Sequence, residues 1–299
     1  MYTRTITTKT IAIGFLMVLA CTSSWAQFKY EAYEKPLALF PKKAFGYWDY
    51  EENEKVYQQN IEDYIKEWKD RELPLSGIII EPCWQRDYNE LHWNSNYPDP
   101  KKMIREVNAM GISIGLWENG WLNPNCSNWD EALCKGYLVP NSGSNWVGTL
   151  KDKSLKFDTR NPECVDWWMK QHEPLLDRRV IALKRDAGLS PEGSEGSLYL
   201  SAPFAKKAEK YSKKRIFALK CWGGWDRDPE EVTTGLWLGD PLPIWQACSD
   251  NLLCSIINGL TGQWFFGPEI GALDGRKGYE TSPELFIRWT QWGMCAPHP

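Results

Sequence analysis

The chain has 299 residues, 42% of them hydrophobic and 25% charged, which supplies a sizeable core and excludes global disorder. Its net charge of −4 and pI near 5.6 argue against a nucleic-acid binder, which normally carries a strongly basic balance or stripe. Aromatic residues are unusually frequent, with 18 Trp, 13 Tyr and 10 Phe. Tryptophan serves core packing, or it lines a cleft with flat amphipathic surface of the kind sugar sites use.

Residues 1–26 have the layout of a secretory signal peptide: Arg4 and Lys9, then an apolar run from Ile11 to Ala20, then Ser24-Trp25-Ala26 before Gln27. A rival reading takes Val18-Leu19-Ala20-Cys21 as a lipoprotein box with Cys21 lipidated. Either implies export, periplasmic or extracellular, and no later stretch is apolar enough for a transmembrane helix. Residues 27–45 form a lead-in. Cleavage removes Cys21 and leaves an even number of cysteines, of which Cys126 and Cys134 are close enough in sequence to pair. Neither the cysteines nor the three histidines have metal-ligand spacing, so neither a metal nor a cofactor is expected.

From residue 46 onward strand-like and helix-like stretches alternate. Val56–Lys69 has helical apolar spacing, and Ser76–Glu81 is a β-branched strand. Pro100–Met110 reads as a helix closed by Gly111, and Ile112–Glu118 as the next strand. A long loop, Asn123–Asp152, precedes a short strand, Leu155–Asp158. Pro162–Leu176 is a helix capped by Asn161, followed by strand Ile181–Asp186. Helix Leu198–Lys210 and strands Ile216–Cys221, Leu236–Asp240 and Gln263–Ile270 come next, with helices at Ile244–Leu260 and Ser282–Trp292. This pattern predicts an α/β fold of parallel strands with helical crossovers. Seven strands are expected, and several end in a carboxylate: Glu81, Glu118, Asp158, Asp186, Asp240 and Glu269. A (β/α)8 TIM barrel keeps its active site at such strand ends. A doubly wound nucleotide-binding sheet also alternates, but no glycine-rich phosphate loop follows a strand.

The chain resembles the catalytic barrel of glycoside hydrolase family 31, whose members are mostly retaining α-glycosidases. Gly46-Tyr47-Trp48, Tyr97-Pro98-Asp99-Pro100 with Met103, Lys135-Gly136-Tyr137-Leu138 and Asp158-Thr159-Arg160-Asn161-Pro162 occur in the family's order. They are followed by Leu183-Lys184-Arg185-Asp186, Leu236-Trp237-Leu238-Gly239-Asp240 with Trp245, Gly267-Pro268-Glu269-Ile270-Gly271, and Glu284-Leu285-Phe286-Ile287-Arg288-Trp289. The resemblance implies Asp186 as nucleophile and Asp240 as acid/base, hydrolysing O-glycosidic bonds of an oligosaccharide or polysaccharide. Substrate contacts are expected from Glu81, Trp117, Glu118, Lys184, Trp222, Trp237 and Glu269. Retaining enzymes hold their two carboxyl groups about 5–5.5 Å apart. A cation beside Asp186, from Lys184 or Arg185, favours the ionised nucleophile, while a dry setting near Trp237 and Trp245 raises the pKa of Asp240. Strand alternation turns one of Lys184 and Arg185 inward and the other outward.

The chain departs from the family pattern in places. Glu81 and Glu269 stand where the family has Asp, and Cys221 with Lys220 falls where an Arg commonly contacts the sugar, so a glucose-type contact set is not implied and galactose, N-acetylgalactosamine, xylose or a modified glucose stay open. The barrel, residues 46–299, is expected to be C-terminally truncated, with about seven of eight strands. Alternatives are a catalytically silent sugar-binding barrel and an α-galactosidase or α-N-acetylgalactosaminidase.

Overall fold

The computed structural model describes residues 42–51, 57–142, 153–158, 160–176, 180–186, 217–221, 234–260, 265–272 and 280–296, all within one compact unit, Ala38–Pro299. The export segment, Cys21, most of the lead-in, the Leu198–Lys210 helix, Trp222 and Trp264 lie outside the described residues.

Seven parallel strands form one sheet in chain order: β1 (Trp48–Glu51), β2 (Gly77–Ile80), β3 (Ser113–Glu118), β6 (Ala182–Arg185), β7 (Phe217–Cys221), β8 (Thr234–Trp237) and β9 (Phe266–Gly267). β4 (Trp121–Leu122) and β5 (Leu155–Lys156) make a separate antiparallel ribbon. Seven barrel strands were expected and seven are described, but one member differs. Leu155–Asp158 belongs to the ribbon, and Trp48–Glu51 takes a place in the wall that its sequence did not suggest. The segment WDYE lacks a β-branched run, so only its pairing with β2 reveals it as a strand.

The helices follow the expected pattern: α1 (Gln58–Asp70), α2 (Pro100–Ala109), α3 (Trp129–Cys134), α4 (Pro162–Gln171), α5 (Glu173–Leu176), α6 (Trp245–Leu260) and α7 (Pro283–Gly293). Asp99, Asn161 and Ser282 each accept a backbone N–H of the first turn, and each is followed by proline, the arrangement that starts a helix cleanly. Gly111 closes α2 with φ of 86°, a left-handed conformation that glycine adopts without strain. The segment expected to be one helix over Pro162–Leu176 is two, separated at His172. The long loop after residue 122 contains α3. Among the described residues no helix is long and apolar enough to cross a membrane.

Alternation along the strands divides the wall into two faces. Ile78, Ile80, Ile114, Leu116 and Leu183 are buried in the main core. On the other face, a Cβ placed on Gly115 would meet Trp48, Ile79 and Ala182, so these four positions share one interior layer. Glycine at 77 leaves room for the Trp48 ring, whose carbons lie 2.3–2.5 Å from where a Cβ would stand. Two residues further along each strand, the same interior face carries polar groups.

Candidate active site

The register Trp117↔Lys184 and Glu118↔Arg185 decides which residues enter the barrel. Lys184 stands two residues beyond the interior Ala182 and points inward. Its Nζ donates to Glu81 Oε1 at 2.8 Å and lies 3.6 Å from Glu269 Oε1. It also sits 5.0 Å from the centroid of the Tyr50 ring and 4.8 Å from that of Trp237. Burial disfavours the ammonium, but Glu81 and Glu269 outweigh it and hold Lys184 above the usual lysine range. Five strand ends thus converge on one cation: Tyr50 from β1, Glu81 after β2, Trp237 from β8, Glu269 after β9, and Lys184 itself on β6.

Asp186 follows β6 and is half-buried. Its backbone N–H donates to the Glu118 carbonyl at 2.9 Å, and its Oδ2 accepts from the Trp117 indole N–H at 3.2 Å. The carboxyl group is therefore oriented by the neighbouring strand through both main chain and side chain. Asp186 is close enough to contribute to the raised pKa of Lys184 and to that of Glu269, as Asp240 does for Glu269. Glu81, Lys184, Asp186, Asp240 and Glu269 thus form one electrostatic cluster.

A cavity of about 430 Å³ opens beside it, lined by Tyr50, Lys184, Trp237, Glu269, Asp49 and Phe286 among others. That volume falls within the range of about 300–1,000 Å³ typical of small-molecule sites. Among the described residues no group of three or more His, Cys, Asp or Glu is arranged to hold a metal ion.

Four expectations need correction. Glu118 does not face the cavity. It is 2% exposed, on the outer face of β3, where Oε1 lies 2.6 Å from Arg185 Nε and Oε2 lies 2.6 Å from His172 Nε2. The other nitrogen of His172 faces the Trp168 carbonyl at 2.9 Å. Burial alone would raise the Glu118 pKa, but Arg185 and His172 overcome it and hold the carboxylate below its usual range. Arg185 is accordingly the outward member of its pair with Lys184.

Trp117 is 1% exposed and meets Tyr88 edge-on at 5.5 Å, so it holds Asp186 rather than offering a face to a sugar. Asp240 is exposed and Trp245 is 52% exposed, so the dry setting expected for Asp240 belongs instead to Glu269. The Glu269 carboxyl is pushed up to about 8, by burial first of all, with Lys184 opposing the rise and Asp240, Glu81 and Asp186 adding to it. Cys126 and Cys134 are both free thiols, the former donating to the Tyr88 carbonyl at 3.3 Å.

Tyr50 and Tyr88 were not anticipated. The alternation of Trp48 and Tyr50 in WDYE was the available signal for the first, and nothing local marks the second.

The family model for the glycosyl hydrolases family 31 TIM-barrel domain matches residues 37–219. An α-xylosidase of Saccharolobus solfataricus is 24% identical over 283 residues, covering 87% of this chain and 37% of its own length. An α-xylosidase of Emericella nidulans is 22% identical over 285 residues, covering 87% of this chain and 35% of its own. A solved family 31 α-xylosidase from Xanthomonas citri superposes with a TM-score of 0.76 at 20% identity, over 88% of this chain and 32% of that one. The chain thus spans well under half the length of these relatives, and the part it spans is the barrel. A match over most of the chain, on a wall of parallel strands whose ends carry the carboxylates, shows that this chain belongs to glycosyl hydrolase family 31.

Proposed function

We propose that the chain carries the catalytic barrel of an exported retaining α-glycosidase acting on oligosaccharides or polysaccharides. Asp186 attacks the anomeric carbon and Asp240 protonates the departing oxygen; Asp240 then takes a proton from water as the glycosyl-enzyme ester is hydrolysed. The observation that carries this reading is the cluster at the strand ends. Asp186 is oriented by the Trp117 indole at 3.2 Å and lies in the field of the Lys184 ammonium, and both it and Asp240 act on the Glu269 carboxyl. A positive neighbour keeps a nucleophilic carboxylate ionised. The exposure of Asp240 suits a group that must exchange protons with water in the second half of the reaction. The α-xylosidases among the relatives make an α-xyloside the first substrate to try, ahead of an α-glucoside. Export is supported by the pattern of the first 26 residues.

The test is hydrolysis of aryl α-xyloside and α-glucoside, with product configuration followed by proton NMR. Turnover with retention, abolished in Asp186→Asn and slowed in Asp240→Ala, is the expected result. Inversion, or an Asp186→Asn variant as active as the parent, refutes it.

A further inference from the structure

Behind the wall, Glu118 on β3, Arg185 on β6 and His172 form a buried polar cluster that the proposed chemistry does not use. His172 is wholly buried and stands at the corner where α4 ends and α5 begins. Its main chain holds that corner. Its N–H donates to the Met169 carbonyl at 3.1 Å, and its carbonyl accepts from the N–H groups of Leu175 and Leu176 at 2.9 and 3.1 Å. The ring is held on both sides as well: Nδ1 lies 2.9 Å from the Trp168 carbonyl and Nε2 lies 2.6 Å from Glu118 Oε2. A carbonyl oxygen only accepts, and so does a carboxylate paired with a guanidinium. Both ring nitrogens therefore donate, and the ring carries two protons.

Glu118 passes this restraint to the reacting carboxyl by three short links. Its Oε1 lies 2.6 Å from Nε of Arg185, the residue before Asp186. Its main-chain carbonyl accepts from the Asp186 N–H at 2.9 Å. The indole of Trp117, the residue before it, donates to Asp186 Oδ2 at 3.2 Å. We propose that His172 is a positioning residue for the nucleophile: a doubly protonated ring that fixes the Glu118 end of β3, and through it the direction in which Asp186 presents its carboxylate. Without His172 the Glu118 carboxylate can swing toward Arg185, and the strand end that carries Trp117 loses a restraint. Attack on an anomeric carbon needs the reacting atoms aligned at about 3–3.5 Å, and a misplacement of about 1 Å costs on the order of 10²-fold. Glu81, Lys184 and Trp237 lie on the other face and keep their mutual contacts. The loss should therefore fall on kcat and leave KM nearly unchanged.

This role presupposes the proposed glycosidase reading, so the assay is turnover of an aryl α-xyloside by the whole chain, below the unfolding temperature of every variant. His172→Leu removes both donors, whereas His172→Gln keeps an N–H for Glu118. Ile65→Ala, on the buried face of α1, is the comparator for lost stability alone. In His172→Leu kcat should fall about 10–100-fold, with a smaller fall in His172→Gln and KM within about twofold of the parent in both. Leucine suits a buried site better than glutamine, so a merely packing role would rank the two variants the other way. That reverse ranking, a loss carried by KM, or a kcat in His172→Leu no lower than in Ile65→Ala overturns the proposal. A second measurement leaves position 172 intact: nitrogen–proton NMR of labelled histidine in His92→Gln/His298→Gln, where His172 is the sole histidine. Two ring N–H signals at pH 7 are expected, and a single one overturns the proposal. A parent that shows both signals but turns over no aryl α-glycoside overturns the glycosidase reading, and the positioning role with it.

Discussion

Replacing Lys184 with methionine tests whether the cluster is built around that ammonium. Methionine nearly matches the length of the lysine stem, so loss of packing is small and the change is mainly one of charge. It leaves the Glu81 carboxylate, 4% exposed, without the cation now 2.8 Å away. Removing one member of a buried ion pair costs about 3–5 kcal/mol, because the remaining charge stays out of water. Glu269 adds little to this at pH 7: it is 3.6 Å from Nζ and its pKa near 8 keeps it protonated. Against a total stability of about 5–15 kcal/mol, such a loss is a third or more of what holds a typical domain folded. The assay is equilibrium urea unfolding at pH 7, followed by tryptophan fluorescence, on the parent, Lys184→Met, Glu81→Gln and the double variant. The double variant should be more stable than Lys184→Met, since it removes the stranded charge. A Lys184→Met loss below about 1 kcal/mol, or a double variant whose loss equals the sum of the two single losses, would refute the reasoning.

Other outcomes follow from the same geometry. Glu118→Gln removes the counter-charge of buried Arg185 and should cost about 3–5 kcal/mol in urea unfolding at pH 7. Because the folded pKa of Glu118 lies below its unfolded value, its contribution is present above the ordinary carboxylate range and disappears as pH falls. The acid-induced decline of stability should therefore be shallower in that variant. Glu269 has the opposite sign. Its folded pKa, about 8 against an ordinary 4.5, means the folded state holds a proton that the unfolded state has released. Stability should drop as pH rises through that interval, and Glu269→Gln should flatten the drop. Gly77→Ala sets a methyl group 2.3 Å from the Trp48 ring and should destabilise by about 1–3 kcal/mol, read as a lower urea midpoint. An unchanged midpoint would mean that the interior layer is looser than its packing implies.

Much of the architecture was legible in the sequence because buried strands and capped helices leave strong local marks. Ile78, Ile79 and Ile80 announce β2, and Asp99-Pro100, Asn161-Pro162 and Ser282-Pro283 announce helix starts. β1 was missed because its evidence lies in its partner: Trp48 and Asp49 read as a strand only beside Gly77 and Ile78. Leu155–Lys156 was assigned to the wrong sheet for the complementary reason, since two residues of alternation say nothing about whether β3 or β4 stands alongside.

In the site, strand-end position identified the carboxylates but not their environments. Glu118 and Glu81 look alike in sequence, yet one meets Arg185 and His172 behind the wall while the other meets Lys184 within it. Asp240 and Glu269 also both end strands, yet Asp240 is exposed and Glu269 is buried. Burial depends on what folds over a strand end, and at Glu269 the neighbouring group is Lys184 from β6.

Lys184 and Arg185 are adjacent, and each anchors a separate ionic cluster on its own side of the wall. An insertion or deletion of a single residue in β6 would send the arginine toward the cavity and the lysine toward His172, reversing both clusters at once. Each cation would then meet a site shaped for the other, a planar guanidinium in place of the ammonium that donates to Glu81 and an ammonium in place of the guanidinium beside Glu118. The pair therefore works as a keyed joint that admits β6 between β3 and β7 in one alignment only. That alignment also sets where the chain delivers Asp186, so the precision of the reacting carboxyl is secured by a charge pattern of which half lies outside the site.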